Sequence, residues 1–366
     1  MSRDHIVIVG ATGAVGREAI RILSQRGVPQ DRIVALASER SAGTLLNIHP
    51  QPLTVSPLTT TSFDNAAVAI FCASADVSRT YAPIALAAGA TVIDNSSAFR
   101  MDPLVPLIIP EINGASLFSG SNSSIAHRPA IIANPNCSTI LLLMALEPLR
   151  ARFGIEAIDV ATYQAVSGAG AAAIDELLHQ VQAHAQGTSI TPEVFREPCA
   201  FNVFSHDTPT DPHSGVNGEE RKMIDESRKI WSDSSIRITP TCIRVPVVRA
   251  HTQAITVTLK SSAKESQVRA ALLAGRGVHI IDDRASNSFP TPLKAADIDH
   301  VLVGRIRPDP CDPALHSGQS KRWCLMASMD QLRKGAALNA IQIAEHLLPR
   351  IMSGTSRAER TTPVPA

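Results

Sequence analysis

Of the six cysteines in this chain, one sits where reactivity rather than bulk would matter. Cys137 follows Ala133-Asn134-Pro135-Asn136 and precedes Ser138-Thr139. After them Ile140, Leu141, Leu142, Leu143, Met144, Leu146 and Leu149 form a run that is apolar nearly all round, the pattern of a helix buried between layers. Cys137 therefore belongs at a helix N-terminus. Unpaired backbone amides and the dipole there favour a thiolate, lowering a pKa that is about 8.5 in a free cysteine. The same amides suit an oxyanion formed when that thiolate attacks an acyl carbon. Taken alone, a cysteine is more often a small buried hydrophobe.

A second constellation is Gly10-Ala-Thr12-Gly13-Ala14-Val15-Gly16, between an apolar strand and an amphipathic helix. Glycines at that junction permit a tight turn and bring a pyrophosphate close to the helix N-terminus. An NAD site usually carries an acid at the end of the second strand; here that strand runs into Ser38-Glu39-Arg40-Ser41. Ser38, Arg40 and Ser41 suit a 2′-phosphate, with charge-assisted hydrogen bonds from Arg40, so NADP (NADPH) is the expected cofactor. Glu39 keeps open the plainer reading of a solvated polar turn. Glu219 and Lys222 are three apart and share a helix face, which by itself implies only a solvated pair contributing about a few tenths of a kcal/mol.

The elements around these residues imply their placement. HIVIVG, RIVALA, AAVAIFCA and ATVIDNSS read as apolar strands alternating with helices from about Ala14 to Arg26 and Ser78 to Ala88. That is the signature of right-handed βαβ units in a doubly wound parallel sheet. PAIIANP, around Pro129 to Pro135, reads as a strand leading into the Cys137 helix, which sets the first domain at 1–133 and a second at 134–330. In the second, Ile255, Val257 and Leu259 alternate with Ala254, Thr256, Thr258 and Lys260, as in a strand of a mixed or antiparallel sheet. Ile174, Leu177, Leu178, Val181 and Ala185 recur at helical spacing, and a last helix is expected from about Gln331 to Leu348. The tail 353–366 reads as disordered.

The chain has 366 residues, 44% hydrophobic and 18% charged, enough for two domains with substantial cores. A net charge of +1 offers no global field for nucleic acid or an anionic membrane. No apolar run approaches the roughly 18 residues of a spanning helix. The cysteines show no CxxC pair or metal-ligand spacing, so no metal is expected, and MSRDHIVIVG enters a strand without a signal sequence. These features imply a cytoplasmic protein.

From residue 10 to about 340 the chain resembles the aspartate-semialdehyde dehydrogenase family, bacterial or fungal type. The resemblance lies in GATGAVG, SERSAG, DNSSAFRMDP, PEIN, ANPNCST, TYQAVSGAG, NVFSHD, NGEERKM, RVPV, DDRASNSFPTP and LRKGAALNA. It implies an α/β fold: a Rossmann-type NADP-binding domain completed by the helix at 331–350, then an α+β catalytic and dimerisation domain like that of glyceraldehyde-3-phosphate dehydrogenase, assembled as a homodimer. It further implies NADPH-dependent reductive dephosphorylation of L-aspartyl 4-phosphate through a cysteine thioester, serving lysine, diaminopimelate, threonine and methionine synthesis. By resemblance Cys137 is the nucleophile, His251 the general acid/base and Gln164 the residue that orients the intermediate. Without the resemblance, His251 is one of twelve histidines at a strand edge and Gln164 a plain strand exit. An imidazole suits acid/base work because it titrates near neutral pH. The resemblance also makes Arg244 the clamp on the substrate α-carboxylate, Glu219 the partner of its amino group, Lys222 and Arg100 the phosphate cations, and Asn136 an aid to phosphate or cofactor geometry. Ser167, Gly168 and Gln331 join the cofactor contacts, Gln331 through the nicotinamide carboxamide.

The chain departs from the family pattern in three places. Cys72-Ala73-Ser74-Ala75-Asp76 replaces a Ser-Ala-Gly-Gly turn, Ala250-His251-Thr252-Gln253 replaces GHSE, and Gln331 stands where many relatives have Asn. Other acyl-phosphate reductases, acting on N-acetylglutamyl phosphate or on glyceraldehyde phosphate, carry NPGCYPT or SCTTN around the cysteine. A catalytically silent dimeric homologue would typically have lost it.

Overall fold

The computed structural model describes residues 3–48, 51–118 and 130–352; Pro129 and the tail 353–366 lie outside them. The chain divides into two compact units: the residues up to Pro135 with those from Ala336 onward, and Asn136–Gly335. The expected boundaries fell two and five residues earlier, at 133 and 330.

The first unit is built on a six-stranded sheet in the order Ser56–Pro57, Ile33–Ala37, His5–Val9, Ala66–Phe71, Thr91–Asp94, Ile131–Ala133, with every pairing parallel. The strands are apolar almost without break because both faces are covered. Alternate residues serve opposite faces: Ile6 and Ile8 pack with Ile20 and Leu23 of the Ala14–Gln25 helix and with Leu338 and Ile341, whereas Val7 and Val9 pack with Ala82 and Ala85 of the Ala75–Ala87 helix. Full burial of each such aliphatic side chain stabilises the fold by about 1.5–3 kcal/mol. This is a Rossmann-like layer arrangement.

The second unit carries a mixed seven-stranded sheet in the order Phe204–Ser205, Arg237–Arg244, Ile155–Gln164, His251–Ala263, Ser320–Met329, Val301–Pro308, Val278–Ile280. Its register positions the candidate residues. The strand ending at Gln164 runs parallel to the one ending at Arg244, with those two residues paired. The neighbouring strand runs antiparallel and begins at His251, with Thr252 opposite Tyr163. All three side chains thus gather at one end of the sheet. The Cys137–Phe153 helix packs on one sheet face, touching the His251–Ala263 strand and the helices Gly218–Trp231 and Glu265–Leu273. The opposite face bears rows of residues that are at most half-buried, among them Thr241, Ala161, Ala254 and Met326.

Two elements differ from expectation. In the Ala171–Ala185 helix the buried face is Ala173, Glu176, Leu177 and Gln180, whereas Leu178 and Val181 are 51% and 41% exposed. The polar pair displaces the apolar stripe because Glu176 accepts the amides of Glu193 and Val194, and Gln180 those of Cys199 and Ala200. The last long helix spans Leu338–Leu347 rather than starting at Gln331. Asp330 holds the amides of Leu332 and Arg333 in a turn, and a π-helical turn follows at Arg333–Ala337.

Candidate active site

Asn136 caps the Cys137 helix: its side-chain oxygen accepts from the amides of Ser138 (2.9 Å) and Thr139 (3.2 Å). Those two donors, which the sequence offered to an oxyanion, are therefore already satisfied. Asn136 also ties this helix to the Gly218–Trp231 helix, giving its side-chain N–H to Glu219 (2.9 Å) and its backbone N–H to Glu226 (2.7 Å). Cys137 follows, half-buried among buried neighbours, with Sγ 3.5 Å from His251 Nε2. Burial raises the thiol pKa of Cys199 to about 11 and that of Cys242 further, so these act as inert core residues.

His251 is fully buried, and its Nδ1 accepts the Ala165 N–H at 3.0 Å. The proton of the neutral ring consequently sits on Nε2, facing the sulfur. Burial, with the charge of Arg244 adding to it, pushes the imidazole pKa down to about 3, against a pull upward from Glu219. The near-neutral titration argued from sequence does not carry over to this environment: His251 is a neutral Nε2–H donor. Ala250, before it, has φ 73°, a left-handed conformation that an alanine adopts at a cost and that the glycine usual in the family adopts freely. Gln253 donates to the Ser138 carbonyl (2.8 Å), linking the histidine strand to the cysteine helix.

Glu219 is only 4% exposed and is no solvated helix residue. One oxygen accepts from Asn136 and from Gln164 Nε2 (3.1 Å), the other from Lys222 Nζ (3.1 Å). Burial would raise its pKa, but Lys222, then His206 and the hydrogen bonds, bring it down to about 2, so it is an anion at neutral pH. Gln164 is oriented from behind by the Thr162 hydroxyl (2.9 Å). Arg244, 2% exposed, donates to the Ala165 carbonyl (3.0 Å) and to Asp207 (2.8 Å), meets His206 Nε2 at 2.9 Å, and lies 5.2 Å from the Phe195 ring centroid. Its Nε has no partner among the described residues. Gln331 is engaged at both ends of its amide, by the Ala250 N–H (2.8 Å) and by Ser167. Gly168 lies against His251 and Arg244, where a Cβ would come within 3.3 Å of the ring.

The remaining candidates belong to the first unit. At Gly10 (φ 83°) a Cβ would fall 2.5 Å from the Cys72 carbonyl oxygen, and at Gly16 2.2 Å from that of Gly10, so only glycine fits either place. Gly13 begins the helix that continues through Ala14 and Val15, and among the described residues no side chain caps it. Thr12 contributes its carbonyl to Arg17 (3.0 Å). Ser38, Arg40 and Ser41 form a single turn past the second strand, with Ser38 and Arg40 exposed. Arg100 is pinned by the carbonyls of Asn134 (2.9 Å) and Asn95 (2.6 Å).

Comparison with known proteins decides the family. Residues 5–119 match the model for the semialdehyde dehydrogenase NAD binding domain, and 146–334 that for the semialdehyde dehydrogenase dimerisation domain. The chain is 41% identical over 346 residues to an aspartate-semialdehyde dehydrogenase of Synechocystis, covering 94% of this chain and 98% of that protein. It is 42% identical over 352 residues to one from Legionella pneumophila, covering 95% and 96%. The chain belongs to the aspartate-semialdehyde dehydrogenase family. A crystal structure of aspartate semialdehyde dehydrogenase II from Vibrio cholerae, complexed with ASA, superposes with a TM-score of 0.87 at 38% identity, covering 95% of this chain and 99% of that one.

Membership in the aspartate-semialdehyde dehydrogenase family makes the chain an oxidoreductase with an NAD(P)-binding domain. Several residues around the site escaped the sequence reading: Asn95 and Asn134 behind Arg100, Thr162 behind Gln164, Glu226 behind Asn136, and His206 and Asp207 on Arg244. Gly335 escaped too, and a Cβ on it would lie 3.0 Å from that of Cys137. Only the short-range Thr162, two residues from Gln164 on the same face of one strand, left a readable signal.

Proposed function

We propose that the protein catalyses NADPH-dependent reductive dephosphorylation of L-aspartyl 4-phosphate to L-aspartate 4-semialdehyde, within lysine, diaminopimelate, threonine and methionine synthesis. The observation that carries this reading is Cys137 Sγ at 3.5 Å from a neutral imidazole whose Nε2–H faces it. A hydrogen bond of this kind stabilises a thiolate without a proton having to reach the histidine. The thiolate attacks the acyl carbon, the C–O bond to phosphate breaks, and the phosphate departs with the bonding electrons, taking up one proton. A thioester on Cys137 remains. The nicotinamide cofactor, when bound, supplies the hydride that reduces it. As the C–S bond breaks, the sulfur leaves as thiolate and His251 again donates to it.

Anionic Glu219, buried and held by Asn136 and Gln164, suits the substrate ammonium, which an N-acetylated substrate would lack. Arg244 offers an unpartnered Nε to the α-carboxylate, and Lys222 and Arg100 suit the phosphate. Gly10, Gly13 and Gly16 would hold the pyrophosphate, and the exposed Ser38 and Arg40 with the half-buried Ser41 favour a 2′-phosphate and hence NADP. Ser167, Gly168 and Gln331 would border the nicotinamide. The half-exposed sheet face of the second unit, together with its match to a dimerisation domain, supports a homodimer.

The test is the reverse reaction with aspartate semialdehyde, phosphate and either NADP or NAD. Phosphate-dependent reduction of NADP in preference to NAD, lost in Cys137→Ala, is expected. Full activity in that variant would refute the covalent route.

A further inference from the structure

Arg244, read as the α-carboxylate clamp, is already largely occupied by residues of the protein itself. A guanidinium has five N–H donors in a fixed fork, and a carboxylate grips it by two prongs only along an edge, Nε with Nη2 or Nη1 with Nη2. Both edges require Nη2. In Arg244 the Nη2 protons serve Asp207 Oδ1 at 2.8 Å and His206 Nε2 at 2.9 Å, while Nη1 serves the Ala165 carbonyl at 3.0 Å. Two protons remain for an incoming carboxylate, that of Nε, which is buried and has no partner among the described residues, and one on Nη1, and these two do not share an edge. To add a second prong it must displace a resident from Nη2.

Of the two residents, His206 is the fixed one. It is 9% exposed, and with Nε2 accepting from Arg244 its Nδ1 carries the ring proton and faces the Thr208 hydroxyl at 3.3 Å. Asp207 is 32% exposed at its side chain and lies in the loop between the Phe204–Ser205 strand and the Gly218–Trp231 helix, so it can turn to water. Burial works to raise its pKa, yet the hydrogen bond and charge of Arg244 hold it below the usual carboxylate range. It therefore meets the substrate as an anion. We propose that Asp207 is a resident carboxylate that competes with the substrate's α-carboxylate for Arg244 Nη2, yields it on binding, and so sets the affinity for substrate. Between turnovers it gives the buried guanidinium a counter-ion, whose absence would be costly.

This rests on the reading of Arg244 as the clamp, and the experiment separates the two. Asp207→Asn and Asp207→Ser are compared with the parent enzyme and with Arg244→Lys in the phosphate-dependent oxidation of aspartate semialdehyde. Competition requires the KM for the aldehyde to fall several-fold in both Asp207 variants, by more than any change in kcat, while the KM for phosphate holds. L-Aspartate, which has the same α-carboxylate and amine, should then inhibit at correspondingly lower concentration. An unchanged or raised KM for the aldehyde in the Asp207 variants, with the expected rise in Arg244→Lys, overturns the competition and leaves the clamp standing. An Arg244→Lys enzyme whose KM does not move overturns both.

Discussion

At the scale of single residues, the chemistry depends on what burial does to His251 and Glu219. The His251 pKa falls from 6.5 to about 3 on folding, so the folded state resists a proton that the unfolded chain accepts. Its contribution to stability is complete above pH 6.5 and is lost as pH falls from there toward 3. Glu219, brought from 4.5 to about 2, adds to the loss only below 4.5. Urea unfolding at pH 7 and pH 5 should show a clear drop for the parent protein and a much smaller one for His251→Gln; equal drops would mean that the ring is not held neutral. None of this was legible from sequence, where His251 stood among twelve histidines. Its environment is set by Ala165 and Arg244, which lie 86 and 7 positions away.

At the scale of elements, what repeats along the chain could be read and what closes in space could not. The parallel strands and the Cys137 helix were legible because periodicity is local. The Ala171–Ala185 helix was misread at its face because Glu176 and Gln180 are buried to serve backbone amides up to 20 positions away, a demand that leaves no periodic trace. The last helix was extended too early because nothing in its apolar spacing marks the Asp330 turn. The glycine turn was legible, and its steric basis allows a firm expectation. Gly16→Ala places a Cβ 2.2 Å from the Gly10 carbonyl oxygen, forcing the Ala14–Gln25 helix off the first strand. Thermal or denaturant unfolding should show a loss of about 1–3 kcal/mol, and titration with NADPH a weakened affinity. Parent-like values of both would show that the helix can shift without cost.

At the scale of the whole molecule, two expectations follow. Ala254 stands exposed between Ala161 and Met326 on the open sheet face. If that face joins two copies, Ala254→Lys buries an unpaired charge there, and sedimentation should find monomers where the parent gives dimers; a dimeric variant would place the interface elsewhere. The second expectation concerns the acyl-enzyme itself. Without phosphate, aspartate semialdehyde and NADP should yield a burst of NADPH equal to the number of active sites. Mass spectrometry of the intact protein and of its peptides should then find one aspartyl group per chain, on the peptide bearing Cys137, released when phosphate is added. NADPH formed with no acyl group on the protein, or with the group on another residue, would contradict the thioester mechanism.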